Sequence, residues 1–220
     1  MELFIDSANV EEIRQAWSMG LIAGVTTNPT LIAKEGIPIE RRLREILAVV
    51  TAGPINGEAM GSQAAELVKQ GKALAAMDPR IVVKIPITGE GLKAIRELRE
   101  EGVKTNATLA FTAAQCLAAA RAGASYISPF LGRLDDAGRS RAELLGQCQD
   151  IWRNYDLTAR LIAASIRSVE HVVEAARHGW HIATVPYTIL LAMLRDPLTD
   201  VGIKRFEADW AAAGLTAFQG

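Results

Sequence analysis

The chain has 220 residues, 50% of them apolar, with 24 Lys and Arg against 25 Asp and Glu. This length can bury a sizeable core and suits one α/β barrel, while the near-neutral balance gives no broad field to draw nucleic acid. No uncharged apolar run reaches the roughly 18 residues of a membrane span, and the first residues already read as a strand, so neither a span nor a signal peptide is expected.

Short apolar, β-branched runs recur at residues 2–6, 22–26, 54–60, 81–85, 103–108, 125–129, 159–164 and 181–185. Amphipathic stretches alternate with them at 10–17, 39–50, 64–76, 91–100, 112–122, 140–155, 168–178 and 188–195. Strand then helix, eight times over, predicts parallel β/α units. An open doubly wound sheet usually carries a GxGxxG turn after its first strand. Here that strand ends Ile5-Asp6-Ser7-Ala8-Asn9, which favours closure into a (β/α)8 barrel of the TIM type. No Pro-, Gly- or Ser-rich linker divides the chain, so residues 1–220 are expected to form a single barrel domain. One extra C-terminal helix is predicted at 199–212, with Ile203, Phe206 and Trp210 at helical spacing and no strand of its own to cover. Cys116 and Cys148 fall in helical stretches without metal-ligand spacing, and read as reduced, structural thiols of a cytosolic protein.

Catalytic groups of such barrels come from the C-terminal ends of strands. There the sequence carries Asp6, Thr26 with Asn28, Glu58, Lys84, Asn106 with Thr108, Ser128 and Ser165. Lys84 interrupts Ile81-Val82-Val83-Lys84-Ile85-Pro86-Ile87, and alternation places it with Val82 and Pro86 on either the barrel interior or the helix layer. Burial disfavours a charged amine and frees it as a nucleophile; a lysine at a strand end could also snorkel to water or pair with a structural carboxylate. Imine formation expels water and needs a proton shuttle. Glu58 and Asp6 can supply carboxylates, and Thr108 can hold a water between them and the lysine. Taken singly, Asp6 could cap the helix near Asn9, Glu58 could be a structural partner of Lys84, and Thr108 could be an ordinary strand residue. Ser128-Pro129-Phe130-Leu131-Gly132-Arg133 and Ala164-Ser165-Ile166-Arg167 offer two guanidinium groups and a hydroxyl after adjacent strands, which suits a phosphate. Arg139, Arg141, Arg153 and Arg160 read as solvated faces or local ion pairs.

The chain resembles the transaldolase family, specifically its small subfamily that also contains fructose-6-phosphate aldolase. The likeness runs along nearly the whole chain. It is carried by Phe4-Ile5-Asp6-Ser7-Ala8-Asn9, Gly24-Val25-Thr26-Thr27-Asn28-Pro29-Thr30-Leu31, Val83-Lys84-Ile85-Pro86, Thr105-Asn106-Ala107-Thr108-Leu109, Ser128 through Asp136 and Ala163 through Arg167, in this order and spacing. The resemblance implies a Schiff base on Lys84 that transfers a dihydroxyacetone unit between sugar phosphates of the non-oxidative pentose phosphate pathway. Asp6 would be the acid/base at the cleaved carbon, with Glu58 and Thr108 holding the catalytic water. It further implies that Thr26, Asn28, Asn106, Ser128 and Phe130 meet the sugar, that Arg133, Ser165 and Arg167 bind its phosphate, and that neither a metal nor an organic cofactor takes part.

Members similar to the aldolase carry glutamine where Glu58 stands and tyrosine where Phe130 stands, so the resemblance implies the transferase. The aldolase is the alternative, and a barrel that binds a sugar phosphate without turning it over is a third reading. One departure from the family is Asn56-Gly57, where a β-branched or small pair is usual. Glycine inside a strand can mark a bulge, which leaves the placement of Glu58 open. Similar small proteins assemble as rings, commonly two stacked pentamers, with the terminal helix reaching across a neighbour. Together with the surplus apolar helix this implies a homo-oligomer, a decamer whose interface includes Phe206 and Trp210.

Overall fold

Strands of a parallel barrel are covered by helices outside and by one another's side chains inside, so both faces are buried and the outward one is apolar. The computed structural model describes residues 1–214 and contains eight such strands. They are β1 (Glu2–Asp6), β2 (Gly24–Thr26), β3 (Ile55–Glu58), β4 (Ile81–Pro86), β5 (Thr105–Ala110), β6 (Tyr126–Pro129), β7 (Arg160–Ala163) and β8 (Ile182–Val185). Each pairs in parallel with the next, and β8 pairs with β1, which closes the expected TIM barrel. Residues 215–220 of the expected domain range lie outside the described residues.

Nine helices fall where the periodicity places them: α1 (Val10–Ser18), α3 (Ile39–Val49), α4 (Ala64–Ala75), α5 (Gly89–Glu100), α6 (Ala113–Ala122), α8 (Arg141–Tyr155), α9 (Val169–Arg177), α10 (Tyr187–Ala192) and α11 (Pro197–Ala212). Two short ones were not anticipated, α2 (Pro29–Glu35) and α7 (Leu131–Asp136). Both follow directly on strands and so stand at the C-terminal end of the barrel. In α2 the Asn28 side chain accepts from the Leu31 N–H at 2.9 Å, Pro29 opens the first turn, and Gly36 at φ 67° ends the helix.

Outward-facing strand residues such as Val25, Ile55, Val83, Ile85 and Ile127 pack against the helices in one large core. Inside the barrel, Phe4, Ile162 and Ile182 form a separate apolar plug. Gly24 makes room for it: a Cβ there would stand 2.9 Å from the Phe4 ring. Beyond this plug, towards the C-terminal strand ends, the interior turns polar.

Asp196 caps α11 by accepting from the Leu198 N–H at 2.8 Å, so this helix starts two residues earlier than the periodicity indicates. None of its residues is buried, and Phe206 is 74% and Trp210 46% exposed. It therefore does not pack back across its own barrel. No described helix is long and apolar enough to cross a membrane. Cys116 and Cys148 are buried free thiols on α6 and α8; contact with Cys148, with burial, holds the Cys116 thiol well above its ordinary range.

Candidate active site

Lys84 points into the barrel and is 4% exposed. Its Nζ donates to the Thr27 carbonyl at 2.7 Å and lies 3.1 Å from a Glu58 carboxylate oxygen. A buried charge without partners is strongly unfavourable, so this lysine is held at one spot rather than extended to solvent. The Asn56-Gly57 pair does not break β3. Its register with β4 is continuous from Ile55↔Ile81 to Glu58↔Lys84, so carboxylate and amine face each other across adjacent strands. Gly57 instead faces the helices, where a Cβ would stand 2.9 Å from Leu43 Cδ1, and its absence lets α3 close on the strand. The irregularity lies in β5, where Leu109 adopts φ 62° and the pairing with β6 shifts between Thr108 and Ala110.

Asp6 sits at the end of β1 beside this pair. The capping role it could have taken belongs to Asn9, whose side chain accepts from the N–H groups of Glu11 and Glu12. Asp6 accepts from Thr26 Oγ at 2.8 Å, and Thr26 is 2.6 Å from Thr184 Oγ; since Thr26 spends its proton on Asp6, Thr184 donates to Thr26. Desolvation raises the Asp6 pKa above the ordinary carboxylate value, against the opposing pull of Lys84 and the Thr26 hydrogen bond. Thr108 Oγ is buried and finds no hydrogen-bond partner in the described chain. A hydroxyl in that state is suited to a water or substrate oxygen.

These groups line a cavity of about 390 Å³ at the C-terminal mouth of the barrel. Ten of the twelve expected site residues line it: Asp6, Thr26, Asn28, Glu58, Lys84, Thr108, Ser128, Phe130, Arg133 and Ser165. Asn28 Oδ1 is committed to capping α2, which leaves its Nδ2 for a ligand. Phe130 packs edge-on against Phe111 and lies 5.7 Å beneath the Arg133 guanidinium, which steers that cation along the cavity wall. Ser165 adopts φ 56°, a conformation disfavoured outside glycine, and turns the chain after β7 towards the same wall.

Two expected residues are not brought to the cavity. Asn106 is fully buried one step deeper than Thr108 on the same strand face, donating to Asn56 and accepting from Ser128. Arg167 is half-exposed and bound through both terminal nitrogens to the Asp136 carboxylate. Its stem lies over Gly132, where a Cβ would come within 2.8 Å of Arg167 Nε. Nothing in the sequence pattern signals this side-chain pairing between the end of α7 and the turn after β7. Of the four arginines set aside, Arg141 pairs with Asp135 and Glu174, Arg153 with Asp150, Arg160 on β7 with Glu2 across the barrel closure, and Arg139 donates to the Phe111 carbonyl. Thr184 was missed. It stands two residues beyond Ile182 on the same strand, and that parity was the available signal.

Residues 3–216 match the family described as Transaldolase/Fructose-6-phosphate aldolase. The chain is 51% identical over 210 residues to a protein named "Probable transaldolase" from Geobacillus sp. (strain WCH70), covering 96% of this chain and 98% of that one. It is 53% identical over 213 residues to "Probable transaldolase 1" of Listeria monocytogenes serotype 4b (strain F2365), covering 97% and 99%. It is 54% identical over 211 residues to the Desulforamulus reducens protein named "Probable transaldolase", covering 96% and 97%. A crystal structure from Coccidioides immitis, described as a "putative fructose-1,6-biphosphate aldolase", superposes with a TM-score of 0.56 at 17% identity, covering 84% of this chain and 73% of that one. That likeness shows the fold.

The barrel, its cavity and these relatives define an enzyme of the transaldolase and aldolase kind. The chain belongs to the transaldolase/fructose-6-phosphate aldolase family.

Proposed function

We propose that the protein is a transaldolase that moves a dihydroxyacetone unit between sugar phosphates through a Schiff base on Lys84, acting in the cytoplasm within the non-oxidative pentose phosphate pathway. The observation that carries this reading is the buried amine of Lys84 held 3.1 Å from Glu58 beside Asp6 in one cavity. In the proposed cycle Glu58 takes a proton from Lys84, and the neutral amine adds to the ketose carbonyl. The resulting carbinolamine loses water, with Glu58 returning the proton through a water seated on Thr108, and an imine forms. Asp6 then takes the proton of the hydroxyl on the fourth carbon, the bond between the third and fourth carbons breaks, and its electrons enter the enamine. The first aldehyde leaves, an acceptor aldehyde is attacked, and Asp6 returns its proton to the new alkoxide. Hydrolysis of the imine frees Lys84.

The raised Asp6 pKa supports its part, since a carboxyl that takes and returns a proton near neutral pH works best when its pKa is not far below the working pH. Glu58 and Phe130 occupy the positions where aldolase-like members carry glutamine and tyrosine, which favours transfer over hydrolytic release. The experiment is fructose 6-phosphate consumption with and without erythrose 4-phosphate. Strong acceptor dependence is expected, with Phe130→Tyr raising free dihydroxyacetone. Full-rate cleavage without acceptor by the unmodified protein would make it a fructose-6-phosphate aldolase.

Arg133 and Ser165 are proposed to hold the substrate phosphate, with Arg167 joining after exchanging Asp136 for it. Arg133→Ala is expected to raise the KM for phosphorylated ketoses by roughly 10- to 100-fold, the scale of one charge-assisted bond of about 1.5–3 kcal/mol. Arg167→Ala should do less, because its charge is already neutralised by Asp136. Equal effects on dihydroxyacetone and on sugar phosphates would place Arg133 elsewhere. The bare apolar stripe of α11 supports a homo-oligomer, a decamer of two pentameric rings with Phe206 and Trp210 in the interface. Light scattering decides it, and a monomer at micromolar concentration would end the proposal.

A further inference from the structure

Asn56 lines no part of the cavity and takes no step in the proposed chemistry, yet it is a fully buried primary amide on β3. Burying such a group is unfavourable unless its hydrogen bonds are made. They are made, and they run in one direction. Asn56 Nδ2 donates to the Val25 carbonyl on β2 at 3.0 Å. Asn56 Oδ1 accepts from Asn106 Nδ2 on β5 at 2.8 Å. Asn106 Oδ1 accepts from Ser128 Oγ on β6 at 2.8 Å. The Val25 carbonyl can only accept, so it fixes which end of the Asn56 amide faces it; turning that amide over would set two oxygens against each other. Asn56 therefore presents oxygen to Asn106, Asn106 answers with its nitrogen, and its own oxygen is left facing Ser128. Ser128 has one hydroxyl proton, and Asn106 receives it.

We propose that Asn56 is a positioning residue that sets the hydrogen-bond polarity of Ser128, so that Ser128 meets the cavity only as an acceptor for a hydroxyl of the bound sugar. The inference rests on the reading of the cavity as a ketose phosphate site. Strand register puts the amide chain next to the reacting centre: Asn56 is two residues before Glu58 on the same face, and Asn106 pairs with Lys84. An acceptor-only Ser128 grips a hydroxyl beside the reacting carbonyl without donating to the carbonyl oxygen, which is left to take up protons and depart as water. Without Asn56 the Asn106 amide is free to turn over, and the Ser128 proton is free to point at that oxygen.

Asn56→Leu keeps the branching at Cγ and the number of side-chain heavy atoms, deletes both amide bonds and adds bulk that the melting measurement monitors. Asn56→Asp keeps both while its carboxyl is neutral, and burial beside a carbonyl oxygen favours the neutral form. The test measures borohydride trapping with fructose 6-phosphate, kcat and KM, and thermal melting for these variants, for Ser128→Ala and for Asn56→Leu combined with Ser128→Ala. Asn56→Leu is expected to lower kcat/KM by about 10- to 100-fold, and the double variant to match Ser128→Ala alone within about twofold. Asn56→Asp should recover most of the loss at mildly acidic pH and surrender it as pH rises, which a packing role would not produce. Full activity of Asn56→Leu, or additive losses in the double variant, overturns the proposal. Should Asn56→Leu not fold, the pH profile of Asn56→Asp decides, and one superimposable on the unmodified enzyme counts against it. An unmodified protein that traps no adduct overturns the sugar-phosphate reading itself, whereas normal trapping with an indifferent Asn56→Leu overturns only the role of Asn56.

Discussion

Lys84→Arg is expected to abolish the borohydride-stable adduct with fructose 6-phosphate and to lower turnover by on the order of 10⁴-fold or more, the scale on which loss of a covalent nucleophile falls. A guanidinium keeps a positive charge opposite Glu58, so the ion pair persists, but it does not give up its proton and forms no imine. The slot is tight, with Lys84 only 4% exposed, and the longer, branched head is expected to cost about 1–3 kcal/mol through overpacking. Mass spectrometry well below the melting temperature therefore separates chemistry from stability. An undiminished adduct in a folded Lys84→Arg protein would remove Lys84 from the centre of the mechanism.

Asp6→Asn should lose about 10²–10⁴ in kcat, the usual yield of a positioned acid/base, and should melt at a higher temperature than the unmodified protein at neutral pH. The second half follows from linkage. Desolvation raises the Asp6 pKa in the folded chain, so the folded state holds its proton more tightly than the unfolded state does. Stability then falls as pH rises from the ordinary carboxylate range, about 3.9, through the raised value. Asparagine is neutral throughout and still offers an oxygen to Thr26. The gap in melting temperature should be widest at neutral pH and narrow as the solution is acidified. A gap that stays constant, or an Asp6→Asn protein that melts lower at neutral pH, would contradict the electrostatic strain assigned to this carboxylate.

Much of the barrel was legible because a parallel strand buried on both faces leaves an apolar run that no amphipathic helix imitates, and eight such runs alternate with helical periodicity. The polar strand ends were legible for the same reason, since Asp6, Glu58, Lys84 and Thr108 interrupt runs that need no polar residue. The short helices escaped: seven residues in α2 and six in α7 are too few to show a period, although Asn28-Pro29 is a cap followed by a first-turn proline. With glycine as its neighbour, Asn56 reads as a disturbance of β3. Its parity with Glu58 was the better guide, and it placed both in the interior. The pairing of Arg167 with Asp136 and the left-handed turn at Leu109 depend on contacts between segments distant in the chain, which no local pattern carries.

The bare face of α11 couples folding to mass action. A 16-residue helix with no buried residue has little beyond its backbone hydrogen bonds and its Asp196 cap to hold it, and helices without tertiary packing are marginal in water. If neighbouring copies supply the missing apolar surface, dilution strips it away again, and the helical content of residues 197–212 becomes a function of protein concentration while the barrel's does not. The terminal segment would then report on assembly from within each subunit.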